Sequence, residues 1–531
     1  MKKINLLLII CITAFAACTK FGDMNTDPTK SADLDPSVEL AYAQQKFTGD
    51  VEVQERLNLL LTSPLAQQLG GGWASQYGQF YQRNQSYMAV LWQSNYPNDV
   101  KNIVDAEFRS RNTTEQNLNA MARVMKVYVF ARLTDLYGDI PYFEASTGFT
   151  HINVAPKFDK QEDIYADFFK QLDTAMTLFY SGKDKVLNDV FYKGDVSKWK
   201  KFTSSLRLRL ALRIAKSDET KAKQEISKAF ADGLMQSNDD ICMTRHDDNF
   251  NNYATYTGNG LSSAFRQGGF PSGYRAHNSF INQLRNTKDP RLKVMVRHYW
   301  DDQPGASWEN RMDVTDLVTA QVGFFGVGAT DFIWDDWKNT IAVMVPSVGQ
   351  VSIGNNLQKM QVARPLIANG APFLHLTYAE TEFLLADAII RLGMDLGGTA
   401  EDHYKNGMRA ACKQLTVYAG TTPINDGEIE QFVTDNAFQP GKELEQINTQ
   451  LWVNYFLNGP EAYANIRRTG YPVLPAGYRT DGYSDPDSKI MPRRFEYPLS
   501  EKSLNKKAVD EAVQRMGGKD DWNNRVWWDK P

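Results

Sequence analysis

LLADAIIRLG (384–393) followed by AEDHYKNGMRAAC (400–412) is the stretch whose reading decides the fold. In the first half, apolar residues return at intervals of three and four, the period of a helix with one buried face. Gly393 ends it, because glycine adopts the left-handed conformation of a helix C-terminus without a steric penalty. The second half restarts the same period with small residues where another helix would approach. Helix, glycine stop and small-faced helix predict an antiparallel pair.

Outward from this pair the helical period recurs. Leu118 to Leu136 carries Met121, Val124, Met125, Tyr128, Val129 and Leu133 on one face and stops at Tyr137-Gly138-Asp139-Ile140-Pro141. Ile164 to Phe179 reads as its partner, with Ile164, Phe168, Leu172, Ala175 and Phe179 aligned. Trp199 to Ile214 interleaves Arg207, Arg209 and Arg213 with Leu206, Leu208, Leu210 and Leu212, and Glu219 to Leu234 follows it. Further helices are expected over Leu57–Leu69, Leu376–Leu392, Ala400–Leu415 and Glu443–Leu457, with an irregular chain from Gly459 on. The segment from about 240 to 370 is rich in Gly, Asn, Asp, Ser and aromatic residues and lacks sustained periodicity. It reads as long loops with short helices and a small β element, the place where function is expected. The 384–412 pair resembles a tetratricopeptide pair with a longer turn, although no strict repeat period runs through the chain. The fold class expected is mainly α: tetratricopeptide-like helix pairs forming a scaffold, with a loop-rich variable half and minor β structure.

The N-terminus reads as an export signal. Lys2 and Lys3 precede the apolar run Leu6–Ala17, which is too short to span a bilayer. The run ends in Phe15-Ala16-Ala17-Cys18, small residues before a cysteine, as in a lipoprotein cleavage site. Residues 1–17 are therefore expected to be a lipoprotein signal peptide and Cys18 the lipidated residue. Residues 18–50 are expected to hold that cysteine and a polar tether, and 51–531 a single domain. Of the four cysteines, only Cys242 and Cys412 remain for the folded chain, which excludes a disulfide scaffold. Cys412, in an Ala-rich helix, is expected to be a buried free thiol. The 59 basic and 63 acidic residues, for a net charge of −4, exclude the concentrated positive surface that nucleic acid requires.

No enzyme signature stands in the sequence. HExxH, GxSxG and the phosphate-binding GxxxxGK[ST] are absent, and Gly326-Val327-Gly328 lacks the third glycine of a dinucleotide loop. None of the six histidines pairs with another at metal-ligand spacing. His375 reads as a structural histidine with its bonds satisfied. Asp247-Asp248-Asn249 with Asn251 and Asn252 could supply oxygen ligands, so a structural calcium or a solvated loop is expected there, and no other cofactor. Two aromatic concentrations point to sugar recognition, in which rings stack on the CH faces of sugars while amides and acids bond hydroxyls. The first is GGGWASQYGQFYQRNQSY (70–87). Its Trp73, Tyr77 and Tyr81 would form one stripe on a helix, flanked by Gln76, Gln79, Gln82, Arg83 and Asn84. The second is FIWDDWKN (332–339), with Asp335 and Asp336 between Trp334 and Trp337. The candidate ligand residues are Trp73, Tyr77, Tyr81, Arg83, Asn84, Trp334, Asp335 and Trp337, and no catalytic residue is assigned.

Several stretches in order resemble one family. They are Cys18 with FGDMNTDP (21–28), LYGDIPY (136–142), KWKKFTSSLRLRLALRI (198–214), YAETEFLLADAIIRLG (378–393), EAYANIRRTGYPVL (461–474) and MPRRFEYPLSEKSLN (491–505). Together they resemble the SusD/RagB-like outer-membrane lipoproteins. The resemblance implies a single domain on tetratricopeptide-like helix pairs whose variable half carries the ligand site. It also implies a lipid-anchored cell-surface protein that captures oligosaccharides for a SusC-like TonB-dependent transporter, without being an enzyme. Relatives of the RagB kind handle peptides, so an oligopeptide-binding lipoprotein is the alternative reading, and a surface glycoside hydrolase a third. Arg467, Arg468, Arg493 and Arg494 are expected to pair with carboxylates and fix loops against helices.

Overall fold

A computed structural model of the chain describes residues 34–531 apart from 72–74, 148–152, 252–254, 267–273, 301–309, 325, 329–339, 347 and 355–359. Cys18 and its flanking signal and tether residues lie outside the described residues, as do Trp73, Trp334, Asp335 and Trp337.

The scaffold is helical, with the pairs that the sequence announced and one more that it did not, formed after Glu443. The helices that carry the argument are α1 (Pro36–Gly49), α2 (Gln116–Tyr137), α3 (Gln161–Leu178), α4 (Val196–Ile214), α5 (Glu219–Asp232), α6 (Tyr378–Leu392), α7 (Ala400–Lys413), α8 (Glu443–Asn454) and α9 (Gly459–Thr469). Four residues join α4 to α5, and short links join α6 to α7 and α8 to α9, so each pair must fold back on itself. The ends of α2 and α3 are pinned by paired backbone bonds between Ile140 and Asp159, 2.9 and 3.2 Å long. In the α6/α7 pair, the Thr377 hydroxyl accepts the Glu380 amide and Gly393 closes the helix at φ 65°, while Thr399 and Asp402 cap α7 reciprocally. A side chain at Gly407 would meet the Phe383 ring at 2.6 Å, so the close approach of α6 and α7 requires the small residue.

Three expectations are corrected. The tether assigned up to residue 50 gives way to helix at Pro36. There the Asp35 side chain accepts the Ser37 amide and Leu40, Ala43 and Phe47 enter the core, so α1 belongs to the domain. The helix expected over Leu57–Leu69 ends by Leu65, after wide π-type turns over Gln54–Thr62, and residues 69–70 are extended. The region after Gly459 is not wholly irregular. It holds α9 and, among short helices, Lys506–Arg515, both with buried faces.

Buried arginines stitch the pairs together. From α4, Arg207 reaches Glu225 on α5, Arg209 reaches Glu380 on α6, and Arg213 reaches Glu461 on α9 at 2.7 Å and Asp135 on α2 at 3.5 Å. The C-terminal arginines behave largely as expected. Arg468 binds Asp387, Arg493 binds Asp529 and Arg494 binds Asp520. Arg467 instead donates to the carbonyls of Asp135 and Arg493 and lies over the Tyr463 and Trp528 rings. His375 is satisfied at both ring nitrogens, by Tyr128 at 3.1 Å and Thr244 at 2.8 Å, and burial holds its pKa well below the usual value. Cys242 and Cys412 are both free and buried.

The 240–370 region has the expected character, with short helices and strands on the scaffold. The strands that carry the argument are β1 (Leu69–Gly70), β2 (Cys242–Thr244), β3 (Arg275–Ala276), β4 (Val296–Arg297), β5 (Thr340–Val345), β6 (Gly349–Gly354), β7 (Gln361–Val362) and β8 (Phe373–Leu376), beside a further antiparallel pair, Tyr299–Trp300 with Met312–Asp313. β5 and β6 form an antiparallel hairpin and β8 pairs with β2. The remaining four make one antiparallel sheet in the order β1-β3-β7-β4, with Gly70 opposite Arg275 and Arg275 opposite Gln361.

Candidate functional site

The four-stranded sheet collects the roots of the loops in which the sequence placed function. β1 runs directly toward residues 72–74, β3 follows 267–273, and β7 follows 355–359. Residues 326–328 join the same edge. The Val327 amide donates to the Ala276 carbonyl at 2.9 Å, and the Asn278 amide to the Val327 carbonyl at 2.7 Å. A Cβ at Gly326 would lie 1.9 Å from the Ala276 carbonyl oxygen, so the glycine serves backbone contact and not a phosphate.

Gln79 ties these roots together. Its Oε1 accepts the Gly71 amide at 3.0 Å and its Nε2 donates to the Gly328 carbonyl, also at 3.0 Å. Trp73 follows Gly71 by two residues and Trp334 follows Gly328 by six. Even a fully extended chain carries the Cα atoms of these tryptophans no more than about 7 and 22 Å from those of Gly71 and Gly328. The two aromatic segments singled out separately in the sequence therefore spring from one point.

The described members of the first segment divide by role. Among residues 75–84 helix is confined to one turn, Gln76–Gln79, and Tyr81 takes φ 56°, so Tyr77 and Tyr81 do not share a helical stripe. Tyr77 is half-buried and meets Tyr87 edge-to-face at 5.0 Å, with the Arg56 guanidinium 5.4 Å over the Tyr87 ring. Tyr81 is 3% exposed and belongs to the core, which corrects its assignment as a ligand residue. Arg83 is engaged at 3.2 Å by each of Asp487, Glu496 and Asp521 and lies 5.2 Å from the Trp522 ring centre. Its hydrogen bond holds the Asp487 carboxyl below the usual range. Asn84 caps the helix Gln85–Asn95 by accepting the Tyr87 amide at 3.0 Å. Arg83 and Asn84 thus position the segment.

Sequence reasoning missed the 475–487 loop, which packs on the same segment. A Cβ at Gly477 would stand 2.0 Å from the Gln79 carbonyl oxygen, and the Asp485 amide donates to the Tyr81 carbonyl at 3.2 Å. Arg479 lies over both Phe80, at 4.9 Å, and Tyr483, at 5.3 Å. The signal was present in GYRTDGYSDPDS (477–488), an aromatic and Asx-rich stretch with the same composition as the two that were chosen.

In the Asx-rich loop, Asn251 is buried and spent on backbone. Its amide nitrogen donates to the Gly49 and Gly258 carbonyls, and its oxygen accepts the Gly258 amide at 3.0 Å. Among the described residues, no group of three or more His, Cys, Asp or Glu is placed to hold a metal ion. No helix among them is long and apolar enough to cross a membrane.

A family model described as starch-binding and associating with the outer membrane matches residues 30–498. A solved structure titled a chitin-binding protein is 36% identical, with TM-score 0.79, over 93% of this chain and 100% of that one. A SusD-like protein of Bacteroidetes AC2a is 30% identical, with TM-score 0.85, over 94% of this chain and 100% of that one. A chitin-binding SusD homolog from Flavobacterium johnsoniae shares the fold at 22% identity and TM-score 0.71, over 93% of this chain and 98% of that one. A search of curated proteins returns no match.

Proposed function

Because the chain belongs to the SusD-like family, whose description is starch-binding and associating with the outer membrane, we propose that it is a glycan-binding lipoprotein of the cell surface. It captures neutral oligosaccharides of the starch or chitin type and passes them to a SusC-like TonB-dependent transporter. Cys18 carries the lipid anchor, and no covalent chemistry is done on the sugar. The observation that supports this reading is the junction at Gln79, whose one amide holds Gly71 and Gly328, two residues before Trp73 and six before Trp334. Two aromatic segments rooted side by side suit an extended chain of sugar rings, each ring offering a CH face to an aromatic plane and hydroxyls to nearby amides.

Calorimetric titration of the purified mature chain with maltohexaose and chitohexaose, with reducing ends assayed in parallel, tests the reading. Saturable binding of at least one, with no new reducing ends, is expected. Binding of neither would overturn it, and release of reducing ends would reassign the protein to the hydrolases.

A further inference from the structure

The 475–487 loop carries a unit that neither the family description nor the sequence motifs point to. Tyr483 is 39% exposed, whereas Phe80, 6.3 Å away and inclined at 64°, is almost wholly buried. The Arg479 guanidinium lies over both rings. It also grips Asp481 through Nε, at 3.1 and 3.0 Å to the two carboxylate oxygens, and through Nη2. A buried ring, an arginine and an exposed ring stacked in this way leave the outer ring few rotamers, so a ligand that stacks on it incurs little ordering cost. The loop is fixed as well. Gly477 abuts the Gln79 backbone, the Ser484 hydroxyl donates to the Phe80 carbonyl, and the Arg83 amide donates to Asp485 at 2.6 Å. The unit therefore stands on the one-turn helix whose Gln79 also holds Gly71 and Gly328.

We infer that Tyr483, with Arg479 and Asp481, forms a third wall of the ligand site, on which a neutral sugar ring stacks. This rests on the glycan-binding reading and adds to it a residue set and a physical basis for the preference for neutral sugars. The Arg479–Asp481 pair sets a guanidinium and a carboxylate side by side, a polar edge of both kinds that suits the hydroxyl pairs of a neutral sugar, each hydroxyl being donor and acceptor at once. An anionic sugar would have to share Arg479 with a carboxylate already bound to it. The hydrogen bond from Arg479 keeps the Asp481 carboxyl ionised, below the usual carboxylate range.

The test compares wild type, Tyr483→Ala and Tyr483→Phe by titration with maltohexaose, chitohexaose and an oligogalacturonate, with melting temperatures measured alongside. Tyr483→Ala is expected to weaken neutral-oligosaccharide binding about tenfold, Tyr483→Phe to bind as wild type, both to melt as wild type, and the oligogalacturonate to bind at least tenfold more weakly. Nitration of wild-type Tyr483 by tetranitromethane gives a reading that needs no variant. Saturating oligosaccharide should protect Tyr483 while the exposed Tyr180 continues to react. If wild type binds and Tyr483→Ala binds equally, or if ligand leaves the nitration of Tyr483 unchanged, the third wall is wrong and the glycan reading stands. Stronger binding of the oligogalacturonate overturns the charge preference. Failure of wild type to bind any of the three overturns the glycan reading itself, and the wall with it.

Discussion

Arg209 meets Glu380 through two parallel hydrogen bonds, Nε to Oε1 at 2.6 Å and Nη2 to Oε2 at 2.7 Å, with both side chains sealed from solvent. The pair joins α4 to the first turn of α6. Its remaining capacity is used as well, since Tyr455 donates to Oε1 at 2.9 Å and Arg209 donates to the His375 carbonyl at 2.7 Å.

Breaking this pair from one side leaves a buried charge without its partner. Arg209→Met and Glu380→Gln should each lower stability by about 3–5 kcal/mol. The double variant Arg209→Met/Glu380→Leu should recover part of that loss, because no orphaned charge remains. Guanidinium denaturation midpoints check this, and single variants within about 1 kcal/mol of wild type would contradict it.

Two buried carboxyls give opposite pH dependences. Burial alone would raise Glu461, but Arg209 and Arg213 hold it down to about 2. A depressed acid stabilises the fold above its unfolded pKa, and that stabilisation is lost as pH falls through the folded value. Glu461 should therefore weaken the protein between about pH 4.5 and 2. Burial pushes Asp99 up to about 7, since Lys46 is taken at 2.7 Å by Asp50 and stands 4.0 Å from Asp99. Its stabilisation is present below the unfolded value and is lost as pH rises from about 4 to 7. Melting curves of Asp99→Asn should be flatter than wild type across that upper window, and those of Glu461→Gln flatter in the acid window. Unchanged slopes would refute the assignments.

Ring removal should separate ligand residues from core residues. Trp73→Ala and Trp334→Ala are expected to weaken oligosaccharide binding about ten- to hundredfold, with little change in melting temperature. Tyr81→Ala should cost about 3–5 kcal/mol of stability, as for other buried aromatic truncations. Gln79→Ala should weaken binding without touching sugar, because both loop roots lose their shared amide. Calorimetry and thermal melts on the same preparations read all four, and normal binding by both tryptophan variants would refute the site.

Cys18→Ser should move the protein from the membrane to the soluble fraction in cells lacking the partner transporter, since one lipid anchor is the membrane signal in the sequence. Retention of the variant in the membrane fraction would show that another segment anchors it.

The helix pairs were legible because their signals are local. Apolar period, Thr377 and Thr399 as caps, and Gly393 as the stop all lie within a few residues of what they control. The ionic stitching was legible only as an arginine-rich helix, since Glu380 and Glu461 lie far away in sequence from α4. α1 was read as tether because Asp, Pro and Ser serve both a linker and a capped helix start, and only packing of Leu40 and Phe47 decides between them. α9 was missed for a similar reason. Gly459-Pro460 reads as a break, yet proline is well tolerated in the first helical turn. Composition singled out both aromatic segments as candidates, but the periodicity argument failed at Tyr81, whose positive φ turns it into the core. That the two segments share a root depends on Gln79 and Gly328, 249 residues apart, and no local pattern carries such a relation.

Asp135 has an implication for the order in which the chain can fold. Its carboxylate accepts from Tyr165, 30 residues on, and from the Trp528 indole, 393 residues on. The carbonyl of the same residue receives Arg467. During synthesis α2 emerges early, but a buried acid with its partners missing is costly, so its surroundings close only once Trp528 has been made. Closure of this part of the core thereby waits for a residue 393 positions further on. A polypeptide that must be threaded through a translocation pore while still extended gains time from that delay.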